Sequence, residues 1–167
     1  MHGDAAVQVR PAGDLHRRRA AHLYGLILVG SVLVTVSDDY RLLRVGVVLG
    51  ATLAVYWAAE SYVHWNAARA QAGRPLTRAE TTAIVRDGWP LVAAGGIPLL
   101  CLAIEAVLTV DTALAVRITL LVNAVLLFLT GLRAGRSGGL TGARLFLDAA
   151  LAGLLGLVLV VLKALLH

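Results

Sequence analysis

The chain has 167 residues, 59% of them hydrophobic and only 15% charged, with a formal net charge of +5. A soluble domain normally carries about a quarter charged residues. The apolar excess here is more than one small core can bury, which excludes a water-soluble globule and points to lipid as the solvent. The one cysteine, Cys101, excludes an internal disulfide and a cysteine-rich metal site.

All but one of the fifteen basic residues are arginine, and Ala, Gly, Leu and Val are abundant, a composition typical of GC-rich bacterial genomes. Residues 1–19 are polar and carry Arg10, Arg17, Arg18 and Arg19. They do not read as a secretory signal, because no small-residue cleavage site follows the first apolar run, and their arginines make them a cytoplasmic segment. Residues 20–166 form the membrane domain. A spanning helix needs about 20 largely apolar residues, and five stretches qualify: 20–37, 45–65, 89–108, 112–132 and 143–166. The expected fold is therefore all-α, a polytopic bundle of five transmembrane helices.

Arginine placement orients the bundle. Arg69, Arg74, Arg78 and Arg86 lie between the second and third spans, and Arg133, Arg136 and Arg144 between the fourth and fifth. With the four N-terminal arginines they fall on one side, against Arg41 and Arg44 on the other. Basic loops stay inside, so the N-terminus is expected to be cytoplasmic and the C-terminus external. The basic surplus is topological, and no nucleic-acid partner is expected.

In the first span Tyr24, Ser31, Thr35 and Asp38 align as a modest polar stripe. The second carries Gly46, Gly50, Leu53, Trp57, Glu60 and His64 in steps of three and four, the spacing of a helix seam. Gly46 and Gly50 make a GxxxG step that admits a close helix partner. Ionisable residues inside a span are costly and are functional candidates by default, so Glu60 and His64 lead the list. Between the second and third spans, Thr77 and Glu80 have capping-box spacing and predict a short cytoplasmic helix at 78–86. The third span contains Gly95, Gly96 and Pro98. A proline frees the carbonyl four residues back, and a kink is expected there.

Glu105 and Arg117 are equidistant from Asp111, the middle of a tight hairpin, and are expected to form an outer ion pair. Asn123 lies near the middle of the fourth span. Glycines 135–142 read as a hinge. In the fifth span Asp148 sits on the cytoplasmic half, as Glu60 does, and is the expected third member of a polar path. Lys163, near the outer end, is expected to snorkel.

No metal site, serine–histidine–aspartate set or nucleotide loop is present in the sequence. No cofactor is expected, apart from a haem that His22 and His64 could hold between the first two spans. The sequence Tyr24-Gly25, Tyr56-Trp57 before Glu60, Asp87-Gly88-Trp89-Pro90-Leu91, and Val161 to His167 resembles a group of uncharacterised small multi-pass membrane proteins of GC-rich bacteria. The resemblance implies a topology and a bacterial cytoplasmic-membrane location, with no established activity. It also implies a histidine about where Glu60 stands, so this chain departs from the pattern at its leading site.

Three classes of function follow. The first is a homo-oligomeric proton or cation channel or transporter using Glu60, His64 and Asp148. The second is a non-catalytic accessory or scaffold subunit of a larger membrane complex. The third is a small membrane enzyme or a haem redox protein.

Overall fold

The computed structural model describes the backbone of residues 12–37 and 40–166 and the side chains from residue 20 onward, apart from 38, 39 and 167. Arg10, Arg17, Arg18, Arg19, Asp38, Asp39 and His167, on which part of the orientation argument rests, lie outside those side chains. The described elements are all helices: α1 Ala12–Thr35, α2 Leu42–Ala72, α3 Arg78–Asp87, α4 Trp89–Ala94, α5 Gly96–Val107, α6 Thr112–Ser137 and α7 Gly142–Leu166.

Helices α2, α6 and α7 are each long and apolar enough to cross a membrane. The helical run 78–94 and α5, bent by 41° where they meet, make a fourth span if taken together. The apolar part of α1, Ala20–Thr35, would rise only about 24 Å, short of a hydrocarbon core of about 30 Å. Three spans, or four with the bent pair, is the number supported by length and composition.

Lipid is still the solvent these helices require. On α7, Leu147, Leu151, Leu154, Leu155, Leu157, Val158, Leu162 and Leu165 all face outward. An apolar surface so continuous does not persist against water.

Helix α2 outlasts its apolar stretch by seven residues. Residues 66–72 are rich in Ala, Arg and Gln, which favour helix in water as well as in lipid. The helix stops only at Gly73, in the left-handed conformation with φ +60, whose N–H closes on the Arg69 carbonyl. Helix α3 begins five residues on. The Thr77 hydroxyl accepts from the Glu80 amide at 3.3 Å while the Glu80 carboxylate accepts from the Thr77 amide at 2.7 Å. Arg74 adds two N–H donors to the same carboxylate, at 2.7 and 3.1 Å.

The Arg74 hydrogen bonds first, and then Thr77, hold the Glu80 carboxyl down at about 2. A folded-state value below the ordinary 4.5 means the cap is fully present above that pH and is lost as pH falls through 2. Protection from hydrogen exchange at the first turn of α3, taken relative to the intrinsic rate at each pH, should fall over that window. Thr77→Ala should show about fivefold faster exchange already at neutral pH. Protection that ignores both changes would mean that packing, and not the cap, holds α3.

The third predicted span is two helices. Gly95 ends α4 and precedes α5. Pro98 has no amide to return to the Ala94 carbonyl, and the ladder resumes with the Leu99 amide on Gly95 at 2.9 Å. The expected hinge at 135–142 is shorter than the sequence suggests, because α6 runs on to Ser137 and Gly135 is buried inside it.

Helix α1 occupies the middle of the bundle, against α2, α4, α6 and α7. The main core joins Val29 and Leu33 of α1, Val45, Leu49 and Leu53 of α2, Leu102 of α5, and Val116 and Leu120 of α6. These positions cluster toward the C-terminal end of α1 and the N-terminal ends of α2 and α6. The tightest pair is α6 with α7. A Cβ on Gly156 would lie 2.6 Å from the Ala124 Cα, and one on Gly131 only 2.7 Å from the Ala152 Cβ. Small residues let the two backbones meet.

Two polar clamps tie this pair to α1. The Asn123 amide donates to the Leu26 carbonyl at 3.0 Å, in space left by Gly30. Lys163 is 2% exposed, and its ammonium donates to the Val36 carbonyl. That carbonyl lies just past the end of α1, where partial negative charge gathers. The lysine is anchored inside the bundle and does not reach for headgroups.

Candidate functional site

The buried stripe of α2 is Leu42, Val45, Leu49 and Leu53, and it stops there. Gly46 and Gly50 flank it one position along, and a Cβ on either would meet nothing within 4 Å. Among the described residues no other helix packs onto the GxxxG step.

Beyond Leu53, α2 diverges from α1. Trp57 ties it to α3 and α4: the indole N–H donates to the Val85 carbonyl at 3.1 Å, and the ring stands edge-on to Trp89 at 6.1 Å. Gly88 makes room for this, since a Cβ there would sit 3.1 Å from the Trp57 ring. On the other flank α1 is drawn to α4. Gly25 lets the Leu91 carbonyl approach, and His22 Nδ1 bonds the Pro90 carbonyl at 3.2 Å.

The divergence opens a groove of about 470 Å³. Ala20, Ala21 and Tyr24 of α1 form one wall and Tyr56, Ala59, Glu60, Val63 and His64 of α2 the other, with Leu91 between them. The alanines hold the space open. Tyr24 and Tyr56 meet edge to face at 6.3 Å.

Two features give the groove chemistry. Glu60 Oε2 is shielded from solvent and has no hydrogen-bond partner among the described residues. Leaving a buried polar atom unpaired is costly, and more so for a charged one. His64 Nδ1 lies 2.8 Å from the Glu60 carbonyl. A carbonyl only accepts, so Nδ1 carries the hydrogen, and neutral His64 presents the lone pair of Nε2. The pair can take up a proton or neutralise a cation.

The other expected residues lie elsewhere. Asp148 is exposed on α7, its carboxylate close against Gly135 of α6, and it does not line the groove. Glu105 is buried and accepts the Thr119 hydroxyl at 3.1 Å. Arg117 is exposed, and the two are not brought into an ion pair. His22 and His64 each spend Nδ1 on a different carbonyl, and only His64 lines the groove. Among the described residues no three His, Cys, Asp or Glu side chains are grouped to hold a metal ion.

Sequence reasoning missed the α6–α7 seam, although Gly131 and Gly135 are themselves a GxxxG step, with Ala149 and Ala152 against Gly131 and, further along, Gly156 against Ala124. It also missed Tyr24 and Tyr56 as neighbours of Glu60.

Comparison of the chain with protein-family models, with curated proteins and with solved structures gave no match. The site has to be read on its own chemistry.

Proposed function

We infer that this is a multi-pass protein of the bacterial cytoplasmic membrane, with α1 as a short fifth span beside α2, the bent pair, α6 and α7, and that it carries a proton or a monovalent cation through the groove of Glu60 and His64. The observation that carries the reading is the unpartnered Glu60 carboxylate oxygen, held out of solvent at the edge of a roomy groove. A carboxylate so placed needs a proton or a cation to compensate it. Leu33, Leu49 and Leu53 pack together just beyond the groove, so the outer half is dry. That favours a carrier, which has to open its outer half, over a standing pore. The break at Gly95, which packs on the Leu53 side chain, is where such an opening would bend.

The test is a proteoliposome assay. Purified protein should dissipate an imposed pH gradient, or admit a monovalent cation, faster than empty liposomes. Liposomes no leakier than empty ones would remove the reading. For orientation, a cysteine placed after His167 should be labelled from outside the cell and one at Gln71 should not. The reverse pattern would invert the arginine argument.

A second reading has its own observation. Gly46 and Gly50 face open space beside a groove of about 250 Å³ formed with Leu99, Leu102 and Ala103. GxxxG faces associate with other helices in membranes, which suits a homo-oligomer or a subunit of a larger complex. Gly46→Leu with Gly50→Leu should shift crosslinked oligomers toward monomer. An unaltered distribution would assign that face to lipid.

A further inference from the structure

We propose that the Glu60 groove takes an organic monocation, an alkyl- or arylammonium with an apolar body, and not a bare metal ion. The inference rests on the carrier reading and names its cargo. Four features of the groove converge on this class.

The first is size. About 470 Å³ lies within the range of small-molecule sites, roughly 300–1,000 Å³, and far exceeds a metal ion. The second is ligand count. A hard cation wants about six oxygens, whereas the described residues of the walls offer one carboxylate among alanines, Val63 and Leu91. The third is the aromatic pair. Tyr24 and Tyr56 are 50% and 41% exposed at the groove, and their faces attract a cation carrying C–H groups, whose charge is too diffuse to demand oxygen ligands. The fourth is Glu60 itself, whose carboxylate lines the groove, is left short of a partner at Oε2, and supplies the one countercharge among the described residues. His64 limits the site to one positive charge. As a neutral ring it offers Nε2 to an ammonium N–H, and once protonated it repels the cargo, so that proton and cargo compete.

The groove opens between α1 and α2, at the level where the apolar part of α1 begins. An ammonium could enter as a soluble molecule or as the headgroup of a membrane lipid, and the experiment separates the two.

The probe is tritiated benzyltrimethylammonium, bound to the full-length protein in phosphatidylglycerol nanodiscs. Saturable binding is expected. It should weaken by about tenfold or more in Glu60→Gln, by about threefold in Tyr56→Leu, and not at all in Tyr62→Leu. Neopentylbenzene, which has the same shape without the charge, should not compete. Nor should sodium or potassium. Equal competition by neopentylbenzene would reduce the groove to a greasy cleft, and displacement by sodium would return it to inorganic ions. Either result overturns the proposal.

If Glu60→Gln fails to fold, the wild-type protein still decides. Saturating probe should slow the modification of Glu60 by a hydrophobic carbodiimide, read by mass spectrometry, and no protection would overturn the assignment. At constant phosphatidylglycerol content, affinity that falls as phosphatidylethanolamine replaces an uncharged glycolipid would identify a lipid headgroup as the source. Constant affinity would identify a soluble ammonium. Probe binding without any flux would leave the site standing and remove the carrier reading. Proton flux without probe binding would do the opposite.

Discussion

Glu60→Gln should bring flux through reconstituted protein down to the background of empty liposomes, while Asp148→Asn should leave it within experimental scatter. Glutamine keeps the shape and volume of glutamate and removes its charge. Among the described residues nothing else on the groove walls is acidic. For a partly buried pair in contact, the attraction that disappears is about 4 kcal/mol, enough to suppress loading by several hundredfold. His64→Leu should be milder. The imidazole is held on the Glu60 carbonyl one turn back and acts as the next acceptor, with the anion left in place. Asp148 is the informative control, because its position in the sequence suggests a shared path and its place on α7, against Gly135 of α6, denies one. Flux that persists in Glu60→Gln but vanishes in Asp148→Asn would move the pathway to the α6–α7 face and end the groove reading.

Gly156→Leu should destabilise the fold far more than Gly46→Leu, though each is a glycine-to-leucine change in a helix of the same bundle. At Gly156 a side chain would drive into the Ala124 backbone, 2.6 Å from its Cα. A backbone atom cannot rotate aside, so α6 and α7 have to separate, which costs about 3 kcal/mol by analogy with overpacked cores. For a chain of this size that lowers Tm by roughly 6–12 °C. The separation should also strain the Asn123 and Lys163 clamps, which hold the same pair against α1. At Gly46 the new side chain meets nothing within 4 Å, and the monomer should change by no more than about 0.5 kcal/mol. Thermal unfolding in mild detergent, followed by circular dichroism, reads both. Equal losses at the two positions would mean that the open face of α2 is packed after all.

These two comparisons also mark what the amino-acid sequence determines here and what it leaves to the fold. Composition settles the solvent, because no arrangement of so apolar a chain can hide its leucines from water. Local rules also settle features that need only near neighbours. The helix at 78–87 depends on Thr77 and Glu80 three residues apart, and the break near Pro98 on an amide that proline lacks. Helix ends are less legible. The 66–72 stretch is polar enough to end a span yet helical enough to continue α2, because hydropathy reports depth in lipid and propensity reports backbone preference.

The partners of the ionisable residues were not legible at all. Periodicity identified a face of α2 but could not say where along its length a neighbour covers it. That was decided by α1 leaning toward α4 at Gly25 and His22, which packs Leu53, leaves Gly46 and Gly50 open, and parts the helices at Glu60. Matching depth suggested Glu105 with Arg117 and Glu60 with Asp148. Depth is one coordinate, however, and contact needs rotation about each helix axis and adjacency of the helices as well. The small residues of α6 and α7 fixed that adjacency, placing Asp148 beside Gly135 and leaving Glu60 on one wall of a groove with Tyr56, opposite Tyr24.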